Sequence, residues 1–275
     1  MRFPDGSMAD LDGRGEVFYR DSGPATATLG TVLMLHGWAV TADLNFLHCY
    51  QPVIDAGYRV ITLDHRGHGR GLRPAAPVTV ADCAHDAAAL LRRLRAGPAI
   101  VFGYSMGGSI ALTLAHQHPE VVGGLVLSGT QLHWPGRGGR LYRLAMRVVL
   151  GIFPRRGWRF ALRGVGFRDP ATLEWAAGEL SRSTLDAVLQ ARADLRRFDA
   201  RPYAGALGLP AAVVLTTLDR TSPPPFQRRL AEALAGATVH EVALGHDGLV
   251  ASGEEFAPAL LSALESVRSR PILRR

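Results

Sequence analysis

The chain has 275 residues, enough for one large α/β unit with a substantial buried core. Its 47% hydrophobic and 20% charged residues exclude a disordered chain, and no run of roughly eighteen apolar residues marks a membrane span. The formal charge is +7 and every basic residue is arginine. Together with the abundant Ala and Gly, that reads as genomic background before it reads as nucleic-acid or lipid binding.

Residues Met1–Arg14 are polar, carry three aspartates and lack the apolar core of a secretory leader; a cytoplasmic protein is expected. Short apolar runs then alternate with helical patterns, the signature of a parallel sheet covered on both faces. The predicted strands are Glu16–Tyr19, Thr31–Leu35, Arg59–Leu63, Ile100–Tyr104, Leu125–Leu127, Ala212–Leu218 and Thr238–Ala243. The predicted helices are Ala42–Ala56, Val80–Arg95, Met106–His118, Pro225–Ala235 and Glu254–Val267, the last with Ser252 as its N-cap. Cys49 and Cys83 fall in helical stretches, match no metal spacing and read as buried free thiols.

The alternation breaks at residues 131–202, where about three helical segments with Gly-, Pro- and Arg-rich turns replace it. This stretch reads as a helical cap inserted between two parts of one core, residues 1–130 and 203–275. It holds 14 arginines and 6 acids, so it is +8 while the remainder is −1.

Gly103-Tyr104-Ser105-Met106-Gly107 fits Gly-x-Ser-x-Gly with a strand before it and a helix after it. Such a turn lifts a serine hydroxyl off the sheet and aims a helix N-terminus at developing negative charge. Acyl transfer passes through an oxyanion that needs two fixed donors. The Met106 amide is one candidate, and the Trp38 amide, after the strand that ends in His36-Gly37, is the other. His36 reads first as a brace for that loop. With Gly37, Tyr104 and Trp134 it also stands among the candidate substrate-binding residues.

A serine needs a base. His246 follows the last strand, between Gly245 and Asp247-Gly248, and Asp219 follows the preceding strand. The order Ser105, Asp219, His246 suits a strand-to-helix nucleophile elbow; Asp247 and Asp194 are rivals for the acid. The cluster Asp64-His65-Arg66-Gly67-His68-Gly69 has the letters of a metal site but reads as a tight turn in which Asp64 accepts from backbone amides. No metal or cofactor is expected.

Taken together, the His36-Gly37-Trp38 loop, the Asp64–Gly69 turn, the Gly103–Gly108 elbow, Asp219 and Gly245-His246 resemble the α/β-hydrolase family over residues 16–130 and 203–268. The turn after Asp64 departs slightly, with Gly69-Arg70-Gly71 where a serine often ends it. The resemblance implies an eight-stranded, mostly parallel sheet with a helical cap and a Ser–His–Asp mechanism. The expected activity is esterase- or lipase-like cleavage of a small carboxylic ester, on a lipid-like or acyl substrate, with acyl transfer, cofactor-free perhydrolysis or plain ligand binding as alternatives.

In the cap, Arg137, Arg140, Arg143 and Arg147 recur at helical steps opposite Leu141, Leu144, Ala145, Val148 and Ile152. Trp134, Phe153 and Trp158 add aromatic surface. A basic amphipathic helix suits either a pocket cover or peripheral membrane contact. Nucleic acid is not expected, because no aromatic stacking platform accompanies the arginines. The oligomeric state is open.

Overall fold

The computed structural model describes residues 2–73, 76–134, 154–164 and 167–270. Eight strands form one sheet: β1 Asp5–Leu11, β2 Gly15–Asp21, β3 Thr31–Leu35, β4 Arg59–Leu63, β5 Ala99–Tyr104, β6 Val122–Ser128, β7 Ala211–Thr216 and β8 Thr238–Val242, in the order β1-β2-β4-β3-β5-β6-β7-β8. β1 pairs antiparallel with β2 and β2 antiparallel with β4. The other neighbours are parallel. The central strands β3, β4, β5 and β7 are apolar along nearly their whole length because helices cover both their faces.

The helices are α1 Ala42–Phe46, α2 Tyr50–Asp55, α3 Val80–Arg93, α4 Met106–Gln117, α5 Pro154–Gly164, α6 Pro170–Leu180, α7 Leu185–Leu195, α8 Pro224–Ala233, α9 Gly248–Ala251 and α10 Gly253–Arg268. Residues of α3, α4 and α8 build the core on one sheet face, among them Leu90, Leu114 and Leu230. Residues of α1, α2 and α10, with Phe46, Val53 and Phe256, build it on the other. Between β6 and β7 lie α5, α6 and α7. There α5 and α6 share a small cluster of Leu162, Phe167, Leu173 and Leu180 that reaches Leu44 of α1, while Ala187, Ala191 and Leu195 of α7 join the main core. A bridge between His133 and Asp199 pins the two ends of this stretch together.

Three local expectations change. The polar N-terminus forms β1, whose Ala9 and Leu11 turn inward while its other side chains face water; the exposed Met8 and the polar Asp5 and Ser7 hid the alternation. The single helix expected over 42–56 is two. Pro52 has no amide to donate, and it stands in the first turn of α2, where that amide would be unpaired anyway. Ser252 does precede α10, but its hydroxyl makes no capping bond. The basic helix expected around Arg137–Ile152, with Phe153, lies outside the described residues.

Candidate active site

The site forms where β5 meets α4. Ser105 sits at φ 55°, ψ −117°, a left-handed conformation that costs a non-glycine residue on the order of 1–3 kcal/mol. The turn is held because its neighbours leave no alternative. A Cβ on Gly107 would stand 1.9 Å from the Leu35 carbonyl oxygen, and one on Gly103 would stand 2.4 Å from the Gly107 carbonyl oxygen. Only hydrogen atoms fit, so β3, β5 and α4 close to backbone contact around the serine. The Ser105 amide donates to the Ser128 carbonyl of β6 at 2.9 Å, which ties the elbow to the sheet.

His246 and Asp219 arrive from the loops after β8 and β7. His246 Nε2 stands 3.1 Å from Ser105 Oγ, and its Nδ1 stands 2.8 Å from Asp219 Oδ2. Asp219 is buried, and burial by itself would push its carboxyl up. Donation from His246 and from the Ser222 and Thr221 amides outweighs that and holds it below the usual carboxylate range. Those amides reach Oδ1 at 2.8 and 2.7 Å, while the Thr216 hydroxyl donates to Oδ2 at 3.1 Å. Gln227 of α8 braces the loop in turn, donating to Thr216 Oγ1 at 2.8 Å and to the Ser222 carbonyl at 2.6 Å. Sequence inspection missed Gln227; a lone glutamine inside a helical pattern carries no signal of its partners.

The loop after β3 passes beside the serine. A Cβ on Gly37 would meet Ser105 Cβ at 3.4 Å, which brings the Gly37–Trp38 backbone beside Ser105. Met106 opens α4, so its amide belongs to the unpaired first turn. Trp38 Nε1 donates to the Val188 carbonyl of α7 at 2.6 Å, and the Arg192 guanidinium lies over its ring at 5.4 Å.

Three of the expected substrate contacts are buried and bonded within the fold. His36 is fully buried; Nδ1 donates to the Gly37 carbonyl at 2.8 Å and Nε2 accepts from the His65 amide at 2.9 Å. It therefore braces the loop, as a neutral imidazole whose pKa burial lowers to about 4. Tyr104 is also buried, and its hydroxyl donates to the His246 carbonyl, so it supports the histidine loop from below. Trp134 is buried too, its indole N–H donating to Ser109 Oγ of α4 at 2.9 Å.

The rival acids lie elsewhere. Asp194 accepts from the Val80 amide at the start of α3 at 2.8 Å, and Asp247 is exposed at the start of α9. Asp64 accepts from the Ala42 and Arg70 amides, each at 2.8 Å. Arg66 is committed to Asp86 through two bonds of 2.6 and 2.7 Å. Cys49 and Cys83 are free and buried, and burial pushes the Cys49 thiol up to about 12. Among the described residues no group of three or more His, Cys, Asp or Glu side chains is arranged to hold a metal ion.

A family model described as the alpha/beta hydrolase fold matches residues 30–163. The chain is 33% identical, over 86% of its length and 94% of the relative's, to a pimeloyl-[acyl-carrier protein] methyl ester esterase of Chromobacterium violaceum. It is 27% identical, over 83% of each chain, to a 2-hydroxy-6-oxononadienedioate/2-hydroxy-6-oxononatrienedioate hydrolase of Paraburkholderia xenovorans. In fold it resembles the enol-lactonase of Burkholderia xenovorans, with a TM-score of 0.80 at 22% identity, covering 94% of this chain and 100% of that one.

Proposed function

Because the chain belongs to the α/β-hydrolase family, we propose that it is a serine hydrolase that cleaves a carboxylic ester through Ser105, His246 and Asp219. The observation that carries this reading is the continuous contact from Asp219 Oδ2 to His246 Nδ1 at 2.8 Å and from His246 Nε2 to Ser105 Oγ at 3.1 Å. The names of the relatives, an esterase and a hydrolase, support the reaction class.

In this reading His246 takes the Ser105 proton as Oγ attacks the ester carbonyl. The Met106 and Trp38 amides hold the oxyanion, each worth about 3–4 kcal/mol of barrier. His246 then protonates the leaving alcohol. Water, deprotonated by His246, attacks the acyl-enzyme and releases the acid, and Ser105 regains its proton. Asp219 keeps the Nδ1–H tautomer and stabilises the imidazolium.

Helices α5 and α6 supply the cover over the site in this proposal. The acyl group is lipid-like, and the +8 stretch 131–202 offers a membrane-facing surface. On α5, Phe160 is 81% exposed beside the exposed Arg159 and Arg163. Among the described residues no helix is long and apolar enough to cross a membrane; we place the protein in the cytoplasm, in peripheral contact at most.

Labelling with a fluorophosphonate probe tests the reaction class. The wild type labels and hydrolyses p-nitrophenyl esters, and Ser105→Ala loses both. A folded wild type that neither labels nor hydrolyses would overturn the proposal in favour of a ligand-binding protein.

A further inference from the structure

We propose that Glu179, on α6, is a positioning residue for the oxyanion loop, acting through Thr41 and Asn45 at the two ends of α1. The proposal rests on the serine-hydrolase reading above.

The Gly37–Trp38 backbone is held from two sides. His36 takes the Gly37 carbonyl, and the Gly37 amide donates to Asn45 Oδ1 at 2.7 Å. Asn45 is almost completely buried, so this bond has no water to replace it. The direction of the next amide, Trp38, therefore depends on where α1 holds Asn45. With 5 residues, α1 is far too short to be stable by itself; it is held by the burial of Leu44 and Phe46 and by what grips its N-terminus.

That grip comes from elsewhere in the fold. Thr41 is the N-cap: its hydroxyl accepts from the Leu44 amide at 3.2 Å and donates to Glu179 Oε2 at 3.2 Å. The Ala42 amide donates to Asp64. Arg70, in the turn after β4, gathers the carboxylates. Its Nη2 donates to Glu179 at 2.9 and 3.0 Å and lies 3.2 Å from Asp43 Oδ2, while its Nη1 lies 3.4 Å from Asp64 Oδ2. Arg20 bonds Asp43, and Arg182 Nε bonds Glu179 at 2.9 Å. Glu179, Asp43 and Asp64 are all buried.

Holding α6 against the core would not by itself need a charge. An apolar side chain packs as well, and a buried carboxylate carries a desolvation cost. What the carboxylate adds, besides a partner for Arg70 and Arg182, is an acceptor at the cap of the helix that fixes Gly37. When α6 is docked, Thr41 is locked, α1 is locked, and the Trp38 amide points at the oxyanion. When the acceptor is lost, α1 loosens and that amide drifts. The donor is used in the transition state and hardly at all in the bound ester, so the loss falls on turnover.

The test uses the full chain with a p-nitrophenyl ester and an alkylboronic acid, which forms a tetrahedral adduct with an active serine. Glu179→Met lowers kcat about tenfold or more, with KM within about twofold, and boronate affinity falls in step. Glu179→Gln, which keeps a carbonyl for Thr41, restores most of kcat. Thr41→Ala leaves the Glu179–Arg70 pair intact and gives the same pattern as Glu179→Met, so it decides the matter if the methionine variant fails to fold. Asp194→Asn, which weakens a different tie between α7 and the core, changes neither constant. Variants that lose only thermal stability, or that raise KM at constant kcat, overturn the relay. Esterase activity that survives in Ser105→Ala overturns instead the serine-hydrolase reading on which the relay rests.

Discussion

His36 is a histidine that the fold keeps uncharged. Burial sets its pKa near 4, against a weaker upward pull from the Gly37 carbonyl. His68, 5.6 Å away between ring centroids, is pushed down by burial to about 3. In the unfolded chain both titrate near 6.5. Protons therefore favour unfolding: the stability these sites allow is complete above pH 6.5 and falls as pH drops towards 4 for His36 and 3 for His68. For His36 the full loss is on the order of 3 kcal/mol. Asp219 adds to the loss only lower down, as pH falls through its depressed carboxyl value. The thermal midpoint should fall steadily between pH 6.5 and 4; a flat profile there would contradict the buried neutral cluster. The His-Gly-Trp text was enough to mark this loop, and His36 as its brace. The partners of Tyr104 were not legible, because its hydroxyl meets a carbonyl 142 residues away in sequence.

At the scale of elements, the elbow depends on three backbones closing on one another. Gly107 lies where β5, α4 and the end of β3 meet, and a methyl group there would overlap the Leu35 carbonyl at 1.9 Å. Gly107→Ala must push β3 and α4 apart, so it should cost several kcal/mol, as severe overpacking does, about 3 or more. Chemical denaturation measures this, and a variant as stable as the wild type would show that the contact is looser than described. The elbow was readable because it is local: an apolar strand, five residues with two glycines, then a helix. The strand β1 was not readable, because only Ala9 and Leu11 face inward and its pairing depends on β2 lying beside it. The break between α1 and α2 had a visible sign in Pro52, overridden by the apolar periodicity around it.

For the whole molecule, charge is unevenly distributed: the stretch 131–202 carries +8 and the rest of the chain −1. If that stretch contacts membranes, wild type floats with liposomes containing anionic lipid and not with neutral ones, and Phe160→Ala weakens flotation. Equal absence from both dismisses membrane contact without touching the chemistry at Ser105. The chain alone determined the layered α/β plan and the strand–turn–helix around Ser105, and it singled out the candidate residues, because hydrophobic period and turn chemistry act over a few neighbours. Only tertiary structure could decide which acid meets which base across 27 residues, and which oxygen that base meets across 141. The same holds for the 138-residue span that joins Glu179 to Thr41. Contacts of that range are set by packing of the sheet and its helices, and the residues that make them carry no mark of it in their own neighbourhoods.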